Sequence, residues 1–316
     1  MWIKLFLEKL ISGDLENALS IKAKNLPKSI FKFRAVDEYS IVNFETNSLW
    51  VSSADQFNDP YDCFYTLSFN ELVSAMWYKN KEQIKNFVLE KSRQLNCALT
   101  QEEIHRTPSI KELAKTILSA DKNIPPQNYN SMIDSVEGAF NEIFQKHFTG
   151  RLRNIIQKNM GICSLSETNS SLRMWHSYGD NHKGFCLEYD LTAIKGYSTL
   201  ANCLFPVVYT STLPDMTAYF IVDENNSNNL FGIIAAMHKS KEWKYEKEWR
   251  IILPLGESNC SMKFNMPRPK AIYIGIKVEK DDRKRLLNIA TQKGIDAYMM
   301  RFLSDSYRLE AVPIGD

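Results

Sequence analysis

The chain has 316 residues, of which 44% are hydrophobic, 12% aromatic and 24% charged, which is enough apolar surface to offset the entropy of ordering and excludes wholesale disorder. Thirty-nine Lys and Arg against thirty-seven Asp and Glu leave a formal charge of +2, too little for a field that gathers nucleic acid around the whole molecule, although a local basic groove stays open. No apolar run approaches the ~20 residues of a membrane span, so no membrane partner is expected.

The first eleven residues are punctuated by Lys4, Glu8 and Lys9 and read as an amphipathic helix rather than a signal peptide, so a cytoplasmic protein is expected. Ile30–Arg34 and Leu49–Ser53 read as strands with a short helix over Asp37–Phe44 between them, and Asn58-Asp59-Pro60 is a polar turn beyond the second strand. From about Glu71 to Lys158 the pattern turns helical, over 82–95, 110–120 and 133–157, with breaks at Pro108 and Pro125-Pro126. Strand patterns return at 161–166, 184–190, 204–209, 249–253, 271–276 and 297–302, with helices near 170–178, 231–241 and 280–293. Asp223 to Asn229 reads as a flexible loop, and no repeat stands out.

This rhythm predicts an α+β fold of curved mixed sheets in a single elaborated domain over 1–316, with a helical insertion at 71–160. Six cysteines without a C-x-x-C pair predict reduced, mostly structural thiols.

No phosphate-cradling glycine loop, G-x-G-x-x-G, H-E-x-x-H or G-x-S-x-G is present, and five histidines without ligand-like spacing predict no metal. Three polar blocks remain. In the first, Met174, Trp175 and Tyr178 form an aromatic wall followed by His182 in a turn; a packed core with a turn-capping histidine explains the same residues. In the second, Glu246 and Glu248 stand two apart where the chain enters a strand, so both would point to one side. Such a pair suits stabilisation of positive charge or acid and base duties, and equally suits exposed ion pairs with Lys244, Lys247 and Arg250. In the third, Arg34 ends one strand and Ser52 lies on the next, a set suited to phosphate and ribose, or merely a strand-edge cation.

Taken in order, Phe31-Lys-Phe-Arg34, Leu49-Trp-Val-Ser52, Phe57-Asn-Asp-Pro-Tyr-Asp62, Cys163-Ser-Leu-Ser166, Met174-Trp-His-Ser-Tyr178, His182-Lys-Gly-Phe-Cys186 and Glu246-Lys-Glu-Trp-Arg250 resemble a bacterial family labelled domain of unknown function 2971. That label implies no activity. More loosely, the order Arg34, Ser52, Glu246-x-Glu248 is similar to the arginine, serine, glutamate arrangement of ADP-ribosyltransferases, which implies their curved-sheet fold and NAD as a substrate, without metal. The resemblance implies Glu248 as the catalytic carboxylate and Glu246 as the group that orients an unidentified macromolecular acceptor, a protein or a nucleic acid, in a setting such as bacterial defence. It also implies Arg34 on a phosphate or the nicotinamide-side ribose, and Ser52 supporting glutamate and ribose. Beyond the family pattern, Trp175 or Tyr178 would stack on nicotinamide, Asn58 or Asp59 would close over the cofactor, and His182 would lie nearby. Two alternatives stand beside this: a metal-dependent nuclease or phosphoesterase using Asp59, Asp62, Glu167 and His182, and a non-catalytic binding protein using Trp175, Tyr178 and the helical insertion.

Overall fold

A computed structural model describes residues 2–94, 99–192, 199–221, 230–255 and 261–315. The chain divides into two compact units, one of residues 1–64, 154–214 and 228–316, the other of residues 65–153 and 215–227.

The first unit opens with α1 (Trp2–Ile11) and α2 (Leu15–Lys24), followed by β1 (Ser29–Arg34), α3 (Glu38–Glu45) and β2 (Ser48–Ser53). The apolar stripe of α1 buries Phe6 and Leu10 and stacks Trp2 on Trp249 at 6.1 Å between ring centroids. Fully burying a side chain such as Phe6 contributes roughly 1.5–3 kcal/mol, which is what holds so short a helix in place. Asp37 caps α3, its carboxylate accepting from the Ser40 N–H at 2.7 Å.

The second unit is helical: α4 (Phe69–Gln94), kinked at Asn80, α5 (Gln101–His105), α6 (Ile110–Ser119) and α7 (Tyr129–Ile143). Trp77, Leu89, Ile104 and Leu113 make its core, and Thr100 with Glu103 forms a capping box on α5. The single helix expected over 133–157 is three pieces: α7, a π-helical turn at Phe144–Thr149, and α8 (Gly150–Asn159). Position 95, the expected end of the 82–95 helix, lies outside the described residues, and the helix itself starts earlier, at Phe69.

Then come β3 (Met160–Ser166), α9 (Leu172–Ser177), β4 (Phe185–Asp190), α10 (Thr199–Cys203), β5 (Leu204–Pro206) and β6 (Val208–Thr210). The expected 204–209 strand is therefore two, because β5 pairs with a strand of the main sheet and β6 leaves it. After α11 (Thr217–Ile221) in the helical unit, the chain continues through α12 (Phe231–Met237), β7 (His238–Ser240), β8 (Glu248–Pro254), β9 (Ser261–Asn265), β10 (Ala271–Ile274), α13 (Lys280–Lys293), β11 (Asp296–Phe302) and β12 (Leu309–Pro313). The helix expected over 231–241 stops at Met237, where the chain extends to pair β7 in parallel with β6. The 223–229 loop, Cys97 and Cys260 lie outside the described residues; the other four cysteines are unpaired, three of them buried.

The fold is mixed α+β with open sheets. The main sheet runs β12-β11-β10-β4-β1-β3-β2-β9, with β8 on the far edge of β3 and β5 beyond it. Strand β3 decides the shape. Along one edge it pairs with β8 over its full length, from Met160↔Pro254 to Ser166↔Glu248. Along the other it pairs with β2 near its start, at Ser53↔Gly161 and Ser52↔Ile162, and with β1 only at its end, at Phe31↔Ser166. Between these attachments residues 163–165 of β3 pair with neither strand, and β1 and β2 diverge around a notch. The main core, including Ile30, Val51, Leu165, Phe185, Trp249, Ile251 and Ile272, packs on one face; Phe31, Phe33, Met174, Trp175 and Tyr273 form a second cluster. No helix among the described residues is long and apolar enough to cross a membrane.

Candidate active site

The notch holds a cavity of about 310 Å³ whose walls come from six parts of the chain. β1 supplies residues 31–34, β2 supplies Trp50 and Ser52, β3 supplies 162–166, Gln56 to Asn58 and Met174 with Tyr178 close the sides, and Lys239, Glu246 and Glu248 complete the lining. Arg34, Ser52, Asn58, Tyr178, Glu246 and Glu248 thus share one hollow, although up to 214 positions separate them (248 − 34).

Strand alternation puts Lys32 and Arg34 on the same side of β1. The Nε and Nη2 atoms of Arg34 are buried and have no hydrogen-bond partner among the described residues. The strand end is held by a close approach: a Cβ on Gly184 would stand 2.0 Å from the Arg34 carbonyl oxygen, so only glycine fits. Gly184 also donates its N–H to the Gly179 carbonyl and accepts from that of Gly275, which ties the turn after α9 to the end of β10.

The two glutamates are placed differently from the simple alternation expected. Residues 241–246 form a 3₁₀ turn, Lys247 takes a left-handed conformation (φ 46°), and β8 begins at Glu248. Both carboxylates still converge, because Lys239 on β7 bridges them, with Nζ 2.6 Å from Glu246 Oε2 and 3.0 Å from Glu248 Oε2. Tyr178 donates its hydroxyl to Glu246 Oε1 at 2.6 Å and receives a hydrogen bond from the Asn58 amide. Ser166 Oγ donates to the Glu246 carbonyl at 2.6 Å. Behind Glu248, Arg250 donates Nε to Glu248 Oε1 at 2.8 Å and Nη1 to the Ala236 carbonyl at 2.7 Å, and sets Nη2 2.7 Å from Asp62 Oδ1. Arg250, Glu248, Glu246, Lys239 and Asp62 are all buried.

Burial opposes ionisation of both glutamates, yet the balance differs. For Glu248 the charges of Arg250 and Lys239, with hydrogen bonds from Arg250 and Ser164, outweigh burial and hold the carboxyl at about 2. For Glu246 burial dominates and the Glu248 charge adds to it, so its proton affinity rises despite Lys239 and Tyr178. One cavity therefore carries a fixed carboxylate and a second carboxyl poised to hold or take a proton.

Several expectations are corrected. Ser52 lines the cavity, but the hydroxyl that hydrogen-bonds Glu248 is that of Ser164. Trp175 is not a stacking platform: it is fully buried, edge-on to Phe33, with Nε1 donating to the Asn169 carbonyl at 2.6 Å. Asp59 is a buried turn residue that accepts from the Tyr61 N–H at 2.9 Å, and it does not line the cavity. His182 sits in a left-handed turn with its ring 5.9 Å from that of Phe302, outside the cavity lining. The nuclease set is not assembled either. Asp62 faces Arg250, Glu167 accepts from Trp249 Nε1 at 2.6 Å, and no three His, Cys, Asp or Glu side chains among the described residues group to hold a metal.

Lys32, Ser164 and Lys239 were not expected in the site, and Arg250, expected as an exposed ion-pair partner of the glutamates, is instead fully buried against Glu248. Lys32 and Ser164 carried a signal, being two residues from Arg34 and Ser166 on their strands, whereas nothing local marks Lys239.

Residues 174–251 match the sequence model of a family described as a protein of unknown function, DUF2971, so the kinship read from the sequence blocks is shown over this stretch. It contains Tyr178, Lys239, Glu246 and Glu248 of the cavity lining, and Arg250 behind Glu248. Neither the curated proteins nor the solved structures give a match.

Proposed function

We propose that the cavity binds NAD and that the protein transfers ADP-ribose to a macromolecular acceptor or to water, its split sheet being of the ADP-ribosyltransferase-like kind. The observation that carries this reading is a guanidinium with two buried, unfilled donor nitrogens, on Arg34, in the same hollow as a carboxylate held ionised, on Glu248.

The chemistry assigns the roles. Arg34 presents a planar fork to the pyrophosphate. Ser52 meets a ribose hydroxyl, and the half-buried Tyr178 ring flanks the nicotinamide, with Asn58 at the rim. As the bond between ribose C1′ and nicotinamide breaks, nicotinamide leaves with the electron pair and positive charge grows on the sugar. Glu248, fixed by Arg250 and Lys239, favours that charge more in the transition state than in the ground state. The acceptor oxygen or nitrogen attacks C1′, and Glu246 takes its proton, the task its raised proton affinity suits.

The test is release of nicotinamide from NAD labelled in that ring, by the wild-type chain and by Glu248→Gln. Loss of one preorganised electrostatic group lowers the rate by about 10²–10³, with a cooperative unfolding transition above the assay temperature as the control for folding, since the variant also leaves Arg250 and Lys239 short of a buried partner. A wild-type chain that neither releases nicotinamide nor is thermally stabilised by NAD overturns the proposal, as does an unimpaired variant.

A further inference from the structure

Lys32 lines the same cavity, and the NAD reading leaves it without a task. Its Nζ donates to the Ser164 carbonyl at 2.7 Å and lies beside the Cys163 thiol, and no carboxylate among the described residues comes within 4 Å of it. Its neighbour Lys239, by contrast, bridges two carboxylates. An ammonium group has three protons to place, and a desolvated one without a counter-ion is costly, whereas a neutral amine needs far less. Burial accordingly pushes the Lys32 pKa down and the charge of Arg34 pushes the same way, together outweighing the Cys163 thiol and the more distant Glu248 charge, which push it up. A desolvated amine beside another cation is the arrangement that makes lysine a carbonyl nucleophile.

We propose that Lys32 captures the aldehyde carbon of a phosphorylated aldose as an imine, with Arg34 holding the phosphate. The Nζ lone pair attacks C1 of the open-chain sugar to give a carbinolamine. The carbonyl oxygen then leaves as water with both amine hydrogens, and a C=N bond remains; no oxidant or reductant takes part. The ligand class follows from the lining. The unfilled guanidinium donors of Arg34 ask for a phosphate, the hydroxyl of Ser52 and the amide of Asn58 suit sugar hydroxyls, and about 310 Å³ suits a sugar phosphate. The step requires no cleavage of NAD and so goes beyond the function proposed above.

The full chain is incubated with ribose 5-phosphate and cyanoborohydride, which reduces the imine and fixes it. The expected product is one adduct per chain, heavier by one pentose phosphate less one oxygen atom, saturable and mapped by peptide digestion to Lys32. It is lost in Lys32→Arg, which keeps the charge but cannot form an imine. It falls at least tenfold with unphosphorylated ribose, in excess inorganic phosphate, or in Arg34→Gln. Adducts spread over exposed lysines, or a Lys32 adduct indifferent to phosphate, overturn the proposal. Because the wild-type peptide map is decisive alone, a variant that fails to fold does not rescue it. NAD turnover measured on the same preparation separates the two claims, since either activity can be present without the other.

Discussion

Replacing Arg250 by methionine tests whether the buried charge network behind Glu248 holds the cavity together. Arg250 is fully buried and serves three partners: Glu248 at 2.8 Å, Asp62 at 2.7 Å and the Ala236 carbonyl at 2.7 Å. Methionine fills similar space but leaves two buried carboxylates. Glu248 keeps Lys239 and Ser164, whereas neither carboxylate oxygen of Asp62 has another hydrogen-bond partner among the described residues. Breaking a buried pair from one side costs about 3–5 kcal/mol. At about 2–4 °C per kcal/mol for a large domain, the melting temperature should fall by roughly 6–20 °C. Asp62, whose proton affinity burial already raises, can take up a proton and pull the loss toward the lower figure. The assay is denaturant and thermal unfolding of wild type, Arg250→Met, Asp62→Leu and the double variant. Removing both partners should recover about 1–3 kcal/mol relative to the sum of the single losses. A single-variant loss below about 1 kcal/mol, or strict additivity, would refute the reasoning.

Glycine substitutions should separate close approach from mere flexibility. A Cβ at Gly184 would sit 2.0 Å from the Arg34 carbonyl, so Gly184→Ala should cost at least the 1–3 kcal/mol of overpacking and weaken phosphate binding through Arg34. Gly138 lies inside α7, where an added methyl group would meet nothing within 4 Å, and should gain about 0.5–1 kcal/mol when changed to alanine; equal losses at both sites in urea unfolding would contradict this. Lys22 is buried, with Nζ 3.0 Å from the Asn202 carbonyl and 4.2 Å from the centre of the Phe205 ring, and burial brings its pKa down to about 8. The folded state releases this proton more readily than the unfolded chain, so stability should rise with pH from about 8 toward the ordinary 10.5. The difference in melting temperature between wild type and Lys22→Met should grow in favour of wild type across that window, and a pH-independent difference would count against it.

The site was partly legible because its residues sit on short, strongly patterned strands. Ile30–Arg34 and Leu49–Ser53 match β1 and β2 to within one residue at their starts, and the helix between them is present. Such segments declare themselves because the period-2 burial pattern and turn chemistry are local. Reading failed where placement depended on distant partners. Trp175 and His182 belong to a motif with the look of a binding wall, yet packing against Phe33 and Phe302 turned one into core and the other away from the cavity. Lys239, in a segment read as helix, became a strand residue because β6 was there to pair with it.

The sequence by itself determined the order of strands and helices, the mixed α+β character, the family kinship over residues 174–251 and the inventory of charged groups available for chemistry. These follow from near-neighbour sterics, periodic burial and composition. Only the tertiary structure decided that β1 and β2 leave β3 at different points and open a cavity between them, that Ser164 rather than Ser52 serves Glu248, and that of two glutamates bridged by one lysine, Arg250 holds Glu248 ionised while burial raises the proton affinity of Glu246. The reason is physical: register and desolvation are properties of the packed ensemble of strands, and a carboxylate's charge state depends on which cations folding brings beside it.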